Sequence, residues 1–230
     1  MDTISTPDGD FAAYIARPEG DGKFPAMVIL QEIFGVNANV KGIADQYAAC
    51  GYLALAPDLF WRLEPNVSLD PDNESERAKA FDLMSRFDAQ ASIKDIQSAI
   101  AALRADPQCN GRVGAVGFCL GGQLAYLTAL HTDIKAAIGY YGVGIQDMLP
   151  TAETPLETPL MLHIAREDEF VPQPAQAAIH AALDDHPQAT LHDYAGCDHA
   201  FAREGGMHYD GEAAATAHAR SLDFLRAALA

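Results

Sequence analysis

The chain has 230 residues, enough for one sizeable core, and its 49 % apolar and 20 % charged residues are those of a globular protein, not a disordered one. Lys and Arg number 15 against 32 Asp and Glu; the formal net charge of −17 repels phosphate backbones and anionic headgroups, so neither nucleic acid nor membrane is expected as a partner. No run of spanning length and no basic-then-apolar leader is read, and four scattered cysteines without a CxxC pair argue against a disulfide scaffold or structural zinc; a cytoplasmic setting is expected.

In chain order, "ISTPDGDFAAYIARP" reads as an antiparallel edge hairpin turning at Pro7-Asp8-Gly9-Asp10. "FPAMVIL" (24–30) is a buried-strand run. Val40, Ile43, Ala44, Tyr47 and Ala48 form a helical stripe that Gly51 closes, and "YLALAP" (52–57) is the next strand. The polar stretch 63–76 reads as a loop and not as an interdomain linker. A long helical stretch spans roughly 74–105, with a break expected near Ala91-Ser92. A strand at 112–118 leads into a helix from Leu120 to about His131. Strands follow at "KAAIGYYG" and "PLMLHIA", then a helix near 173–185, a strand at "ATLHDY" and a final helix ending "SLDFLRAAL". Strand–helix alternation at this length predicts a single α/β domain over 1–230, with a mostly parallel sheet and helices on both faces. Reacting groups in such sheets lie in loops after the strands' C-terminal ends.

Three loops meet that condition. In "GFCLGG", Gly117 and Gly121 flank Cys119 at the turn from strand to helix. A side chain at that apex is forced into an uncommon backbone conformation, and its neighbours at −2 and +2 must be small. The helix N-terminus favours a thiolate, and the Leu120 backbone N–H is a ready oxyanion donor. A thiol nucleophile needs a base, and the base needs an orienting acid. Asp168 in "HIAREDEFVP" and His199 in "AGCDHAFAR" follow successive strands in the order nucleophile, acid, histidine, with Glu167, Glu169 and Asp198 as rival acids. His163 and His192 are strand-borne, and His163 reads as a satisfied core residue. The third loop, "QEIFGVN", brings Glu32, in a position where an acid is ordinarily a solvated rim residue, and Ile33, whose N–H suits a second oxyanion donor.

These pieces, with "YLALAPDLF", Arg77 and "HAFAR", make the chain resemble the dienelactone hydrolase (carboxymethylenebutenolidase) family, a cysteine-dependent branch of the α/β-hydrolases, over nearly its whole length. The resemblance implies an α/β-hydrolase fold with Cys119 as nucleophile, His199 as base and Asp168 as its orienter. Leu120 and Ile33 supply the oxyanion amides. Glu32 pairs with a neutral resting thiol until an anionic substrate displaces it, and Arg77 and Arg203 bind the substrate carboxylate. Arg77 heads the apolar stripe Ala80, Leu83, Met84, Phe87 and Ala91 of a helix read over 74–91. It also stands near a helix start, where a cation opposes the dipole by about 0.3–1 kcal/mol. Phe81 and Ala200 depart from the tyrosine and serine expected there, which bears on the ring substituents accepted. The activity implied is opening of a carboxylated dienelactone to a maleylacetate-type product through a thioester, by a monomer acting on a small anionic lactone without metal or cofactor. The alternatives are an esterase or thioesterase for another small anionic ester, and a non-catalytic binding protein on a hydrolase scaffold.

Overall fold

The computed structural model describes residues 1–230, and the chain divides into two compact units, Met1–Gly114 and Ala115–Ala230. In the first unit, β1 (Asp2–Thr6) and β2 (Gly9–Ala16) form the expected antiparallel hairpin, with Thr6 opposite Gly9. Its turn is tighter than read, because Gly9 and Asp10 are already paired and only Pro7 and Asp8 remain to reverse the chain. Next come β3 (Phe24–Leu30), α1 (Ala38–Ala49) and β4 (Leu53–Pro57). Strands β3 and β4 pair in parallel, Val28 opposite Leu55, and need the crossover that α1 supplies. The strand order in this unit is β1-β2-β4-β3. Residues Ala26–Leu30 are fully buried, which is why β3 reads as an unbroken apolar run. Asn37 caps α1 by accepting from Val40 N–H at 3.1 Å, and Gly51 ends it with φ +90°.

The long helical stretch is two helices, α2 (Glu74–Arg86) and α3 (Ala89–Ala105). The break falls at Phe87-Asp88, not at Ala91-Ser92. Asp88 is an N-cap whose carboxylate accepts from Ala91 N–H at 2.9 Å, and Phe87 leaves helical geometry to lie edge-on to Phe60. Phe87 and Ala91 therefore do not belong to the helix that carries Arg77.

The boundary between units lies within β5 (Cys109–Phe118). Beyond it come α4 (Leu120–His131), β6 (Ala136–Tyr140), a 3-10 turn at Ile145–Asp147 that the sequence does not signal, β7 (Leu160–Ala165), α5 (Gln173–Leu183), β8 (Ala189–Tyr194) and α6 (Gly211–Leu229). Strands β6, β7 and β8 are parallel neighbours, with Tyr140 opposite His163 and His163 opposite His192. No helix in the chain is long and apolar enough to cross a membrane.

His163 is the satisfied core histidine expected. It is 1 % exposed; Nδ1 meets the Tyr194 hydroxyl at 2.8 Å and Nε2 meets Ser221 Oγ at 2.9 Å, which in turn bonds the Tyr140 hydroxyl at 2.7 Å. Burial, then the nearby His192 and Arg220, hold its basicity well below the usual 6.5. The unfolded chain protonates this ring as pH falls through 6.5 while the folded chain does not, so its contribution is complete above 6.5 and drains away below. In urea melts between pH 8 and pH 5, the parent is expected to lose about 1.4 kcal/mol per pH unit below 6.5 that a His163→Gln variant does not lose. The variant, weaker at pH 8, closes the gap on acidification.

Candidate active site

Where β5 turns into α4, Cys119 occupies φ 57°, ψ −116°, a region that costs a non-glycine residue about 1–3 kcal/mol. The surroundings hold it there. Its N–H donates to the Tyr140 carbonyl at 3.0 Å, and its own carbonyl accepts from Gly122 N–H at 2.9 Å. A Cβ on Gly117 would fall onto the carbonyl of Gly121, so the turn closes only with glycine at 117. Cys119 is thus the N-cap residue of α4, its side chain makes no capping hydrogen bond, and the amide of Leu120 lies in the first helical turn.

Asp168 lies on the loop after β7 and His199 on the loop after β8, each at the C-terminal end of its parallel strand. The two are joined: His199 Nδ1 lies 2.8 Å from Asp168 Oδ2, with the carboxylate side chain 1 % exposed and the imidazole 13 %. Asp168 Oδ1 accepts from Phe170 N–H at 2.8 Å, so both its oxygens are engaged. Burial pushes the imidazole's basicity down. Asp168 by hydrogen bonding, then Cys119 by hydrogen bonding and charge, override this and raise it to about 10. The second unit thus brings Cys119, His199 and Asp168 together in one hydrogen-bonding series.

The rival acids are disposed otherwise. Glu167 and Glu169 are exposed. Asp198 accepts the backbone N–H of His199 at 2.6 Å and pairs with His208 Nδ1 at 2.7 Å, which occupies both its oxygens. Cys197 is buried, and its carbonyl accepts from Glu167 N–H at 2.9 Å. No cluster of three or more His, Cys, Asp or Glu side chains could hold a metal ion.

Glu32 and Ile33 follow β3 in the first unit, and both are buried, Glu32 at 2 % exposure. Glu32 is therefore no solvated rim residue; a carboxylate kept from water at a strand end is costly and calls for a use. Arg77 is half-buried in the first turn of α2, beside Glu74 and Glu76, and Phe81 on the next turn is exposed. In the second unit Arg203 is half-buried, its N–H donating to the Ala200 carbonyl at 2.9 Å, and Ala200 itself has φ 64°.

Two residues that sequence reasoning passed over enclose the imidazole. Tyr141, at φ 38° just past β6, stands edge-on to the His199 ring with centroids 5.1 Å apart; Phe170, 45 % exposed, does so at 4.8 Å. A strand-end position was the available signal for Tyr141. Nothing local marks Phe170, since its neighbour is 29 residues away in the chain.

A family model described as the dienelactone hydrolase family matches residues 11–229. Carboxymethylenebutenolidase from Pseudomonas putida is 39 % identical over 97 % of this chain and 94 % of its own. The crystal structure of a candidate dienelactone hydrolase from Klebsiella pneumoniae superposes with TM-score 0.81 at 27 % identity, covering 97 % of this chain and 96 % of that one. Dienelactone hydrolase from Anabaena variabilis does so with TM-score 0.70 at 16 % identity, over 98 % and 95 %. These likenesses establish the α/β-hydrolase fold read from the sequence.

Proposed function

The chain belongs to the dienelactone hydrolase family, and from that premise we propose that it is a cysteine-dependent hydrolase opening a carboxylated dienelactone to a maleylacetate-type product. The observation that carries the reading is the series Asp168–His199–Cys119, with a buried cysteine held on a strained turn at a helix N-terminus.

The Cys119 thiolate attacks the lactone carbonyl, a C–S bond forms, and the ring C–O bond breaks to expel a conjugated enolate. The Leu120 amide, and on the family motif that of Ile33, stabilise the oxyanion. The enolate takes its proton from imidazolium and becomes the ketone. His199 is then neutral, and its protonation is less favoured than before, because the sulfur that helped to raise its basicity no longer carries charge. It accepts a proton from water as the oxygen attacks the thioester, the C–S bond breaks, and thiolate and imidazolium return as a pair. A conjugated enolate leaves with little protonation, so activated enol lactones suit this chemistry better than alkyl esters or amides.

Recognition of the ring carboxylate by Arg77 and Arg203, and displacement of Glu32 from the thiol, belong to the same proposal and rest on the family motif. Hydrolysis of a dienelactone and of its methyl ester tests it. A loss of roughly 10²–10⁴-fold in kcat/KM on esterification is expected where two charge-assisted contacts disappear, each worth roughly 1.5–3 kcal/mol. Equal rates would refute carboxylate recognition and favour an esterase of wider scope.

A further inference from the structure

The loop that carries Asp168 is tied at both ends by one side chain of the following helix. Gln176, the fourth residue of α5, is 1 % exposed. Its Nε2 donates to the carbonyls of Val171 at 2.8 Å, Ala165 at 3.2 Å and Arg166 at 3.4 Å. Ala165 ends β7 and Val171 lies just ahead of α5, so a single amide brackets residues 166–170 with Asp168 at their centre. Chemistry fixes which way the amide faces. Turned over, its oxygen would meet three carbonyl oxygens. Gln176 Oε1, in contrast, has no hydrogen-bond partner although it is buried. A buried glutamine ordinarily satisfies both ends, and leaving one unmet is unfavourable. The donor end is therefore what this position requires.

We propose that Gln176 is a positioning residue for Asp168, closing the loop so that the carboxylate stays in line with His199 Nδ1. The inference rests on the reading of Asp168 as the group that orients the imidazole. The bracketed segment has other restraints: Arg166 N–H donates to the Tyr194 carbonyl at 3.1 Å and Glu167 N–H to the Cys197 carbonyl at 2.9 Å, Asp168 meets Phe170 N–H and His199 Nδ1, and Gln173 Nε2 donates to the Arg166 carbonyl at 2.7 Å in an exposed bond. None of these joins the strand side of the loop to Val171. Gln176 does.

The test uses three variants assayed on a dienelactone, with melting curves and NMR titration of the His199 ring. Gln176→Leu keeps the volume and removes the donors; kcat is expected to fall on the order of tenfold with KM little changed, as for a slight misplacement of a catalytic group. The imidazole should then titrate at lower pH than in the parent, because a loosened carboxylate supports its charge less. In Gln176→Glu the neutral acid keeps one O–H donor, whereas the ionised form faces three carbonyls with none. Its kcat should decline on alkalinisation and recover on acidification, a reversible limb that neither the parent nor Gln176→Leu shows. A folded Gln176→Leu with parental kcat and parental titration overturns the proposal. If that variant does not fold, a profile for Gln176→Glu superimposable on the parent's overturns it instead. Asp168→Asn separates the two levels: full turnover there removes the reading of Asp168, while loss there beside parental Gln176 variants removes only the tie.

Discussion

Replacing Cys119 by alanine is expected to lower kcat on a carboxylated dienelactone by on the order of 10⁵-fold or more, the scale on which losing a covalent nucleophile is felt. In the proposed mechanism the sulfur forms the acyl intermediate, so its loss removes the covalent step and not merely a contact. Alanine occupies the same left-handed backbone position and leaves the N–H bond to the Tyr140 carbonyl and the packing of Gly117 on Gly121 in place. The melting temperature should therefore change little, and inactivity cannot be attributed to unfolding. Rapid-quench mass spectrometry of the parent should show an adduct on the peptide holding Cys119, which the variant lacks. Undiminished turnover in the alanine variant would end the thioester mechanism.

The second large effect is expected from Asp168→Asn, a drop in kcat of roughly 10³–10⁴-fold, as found where an imidazole loses its orienting carboxylate in hydrolytic triads. Asparagine fits the space and keeps an oxygen that can face Nδ1, but it carries no charge. Burial already disfavours the imidazolium, and Asp168 ranks ahead of Cys119 among the groups that raise His199 to about 10. Without it the balance tips toward the neutral ring, and the thiolate–imidazolium pair loses its support. The sign is thus defined: in the variant His199 titrates at lower pH than in the parent, measurable by ¹⁵N NMR of the ring. An unchanged titration with unchanged turnover would assign the orienting role elsewhere.

The parts of this molecule legible from sequence are those decided by local pattern. Leu120–His131 forms the helix expected from an apolar run broken by Gly117 and Gly121, and "FPAMVIL" forms the strand its composition announces. Cys119, Asp168 and His199 were legible because chain order and strand-end placement together restrict the possibilities. The helix break was misplaced because Asp88 and Ser92 are both acceptable caps, and tertiary packing of Phe87 against Phe60 chose between them. Glu32 was singled out through the family motif, while its burial was not legible, because burial is a property of what surrounds a loop and not of the loop's own composition. Tyr141, Phe170 and Gln176 were passed over for the same kind of reason: each touches a neighbour that the fold brings near. Gln176 lies eight residues from Asp168 and meets its loop only once α5 has docked.

The left-handed backbone at Cys119 has an evolutionary corollary. Glycine would relax that torsion at no steric cost, so the residue proposed as nucleophile is also the one that heat resistance alone would discard. A laboratory lineage selected purely for surviving high temperature should drift toward a robust, inert scaffold at this site. On the proposed mechanism, demand for turnover is what keeps the thiol there.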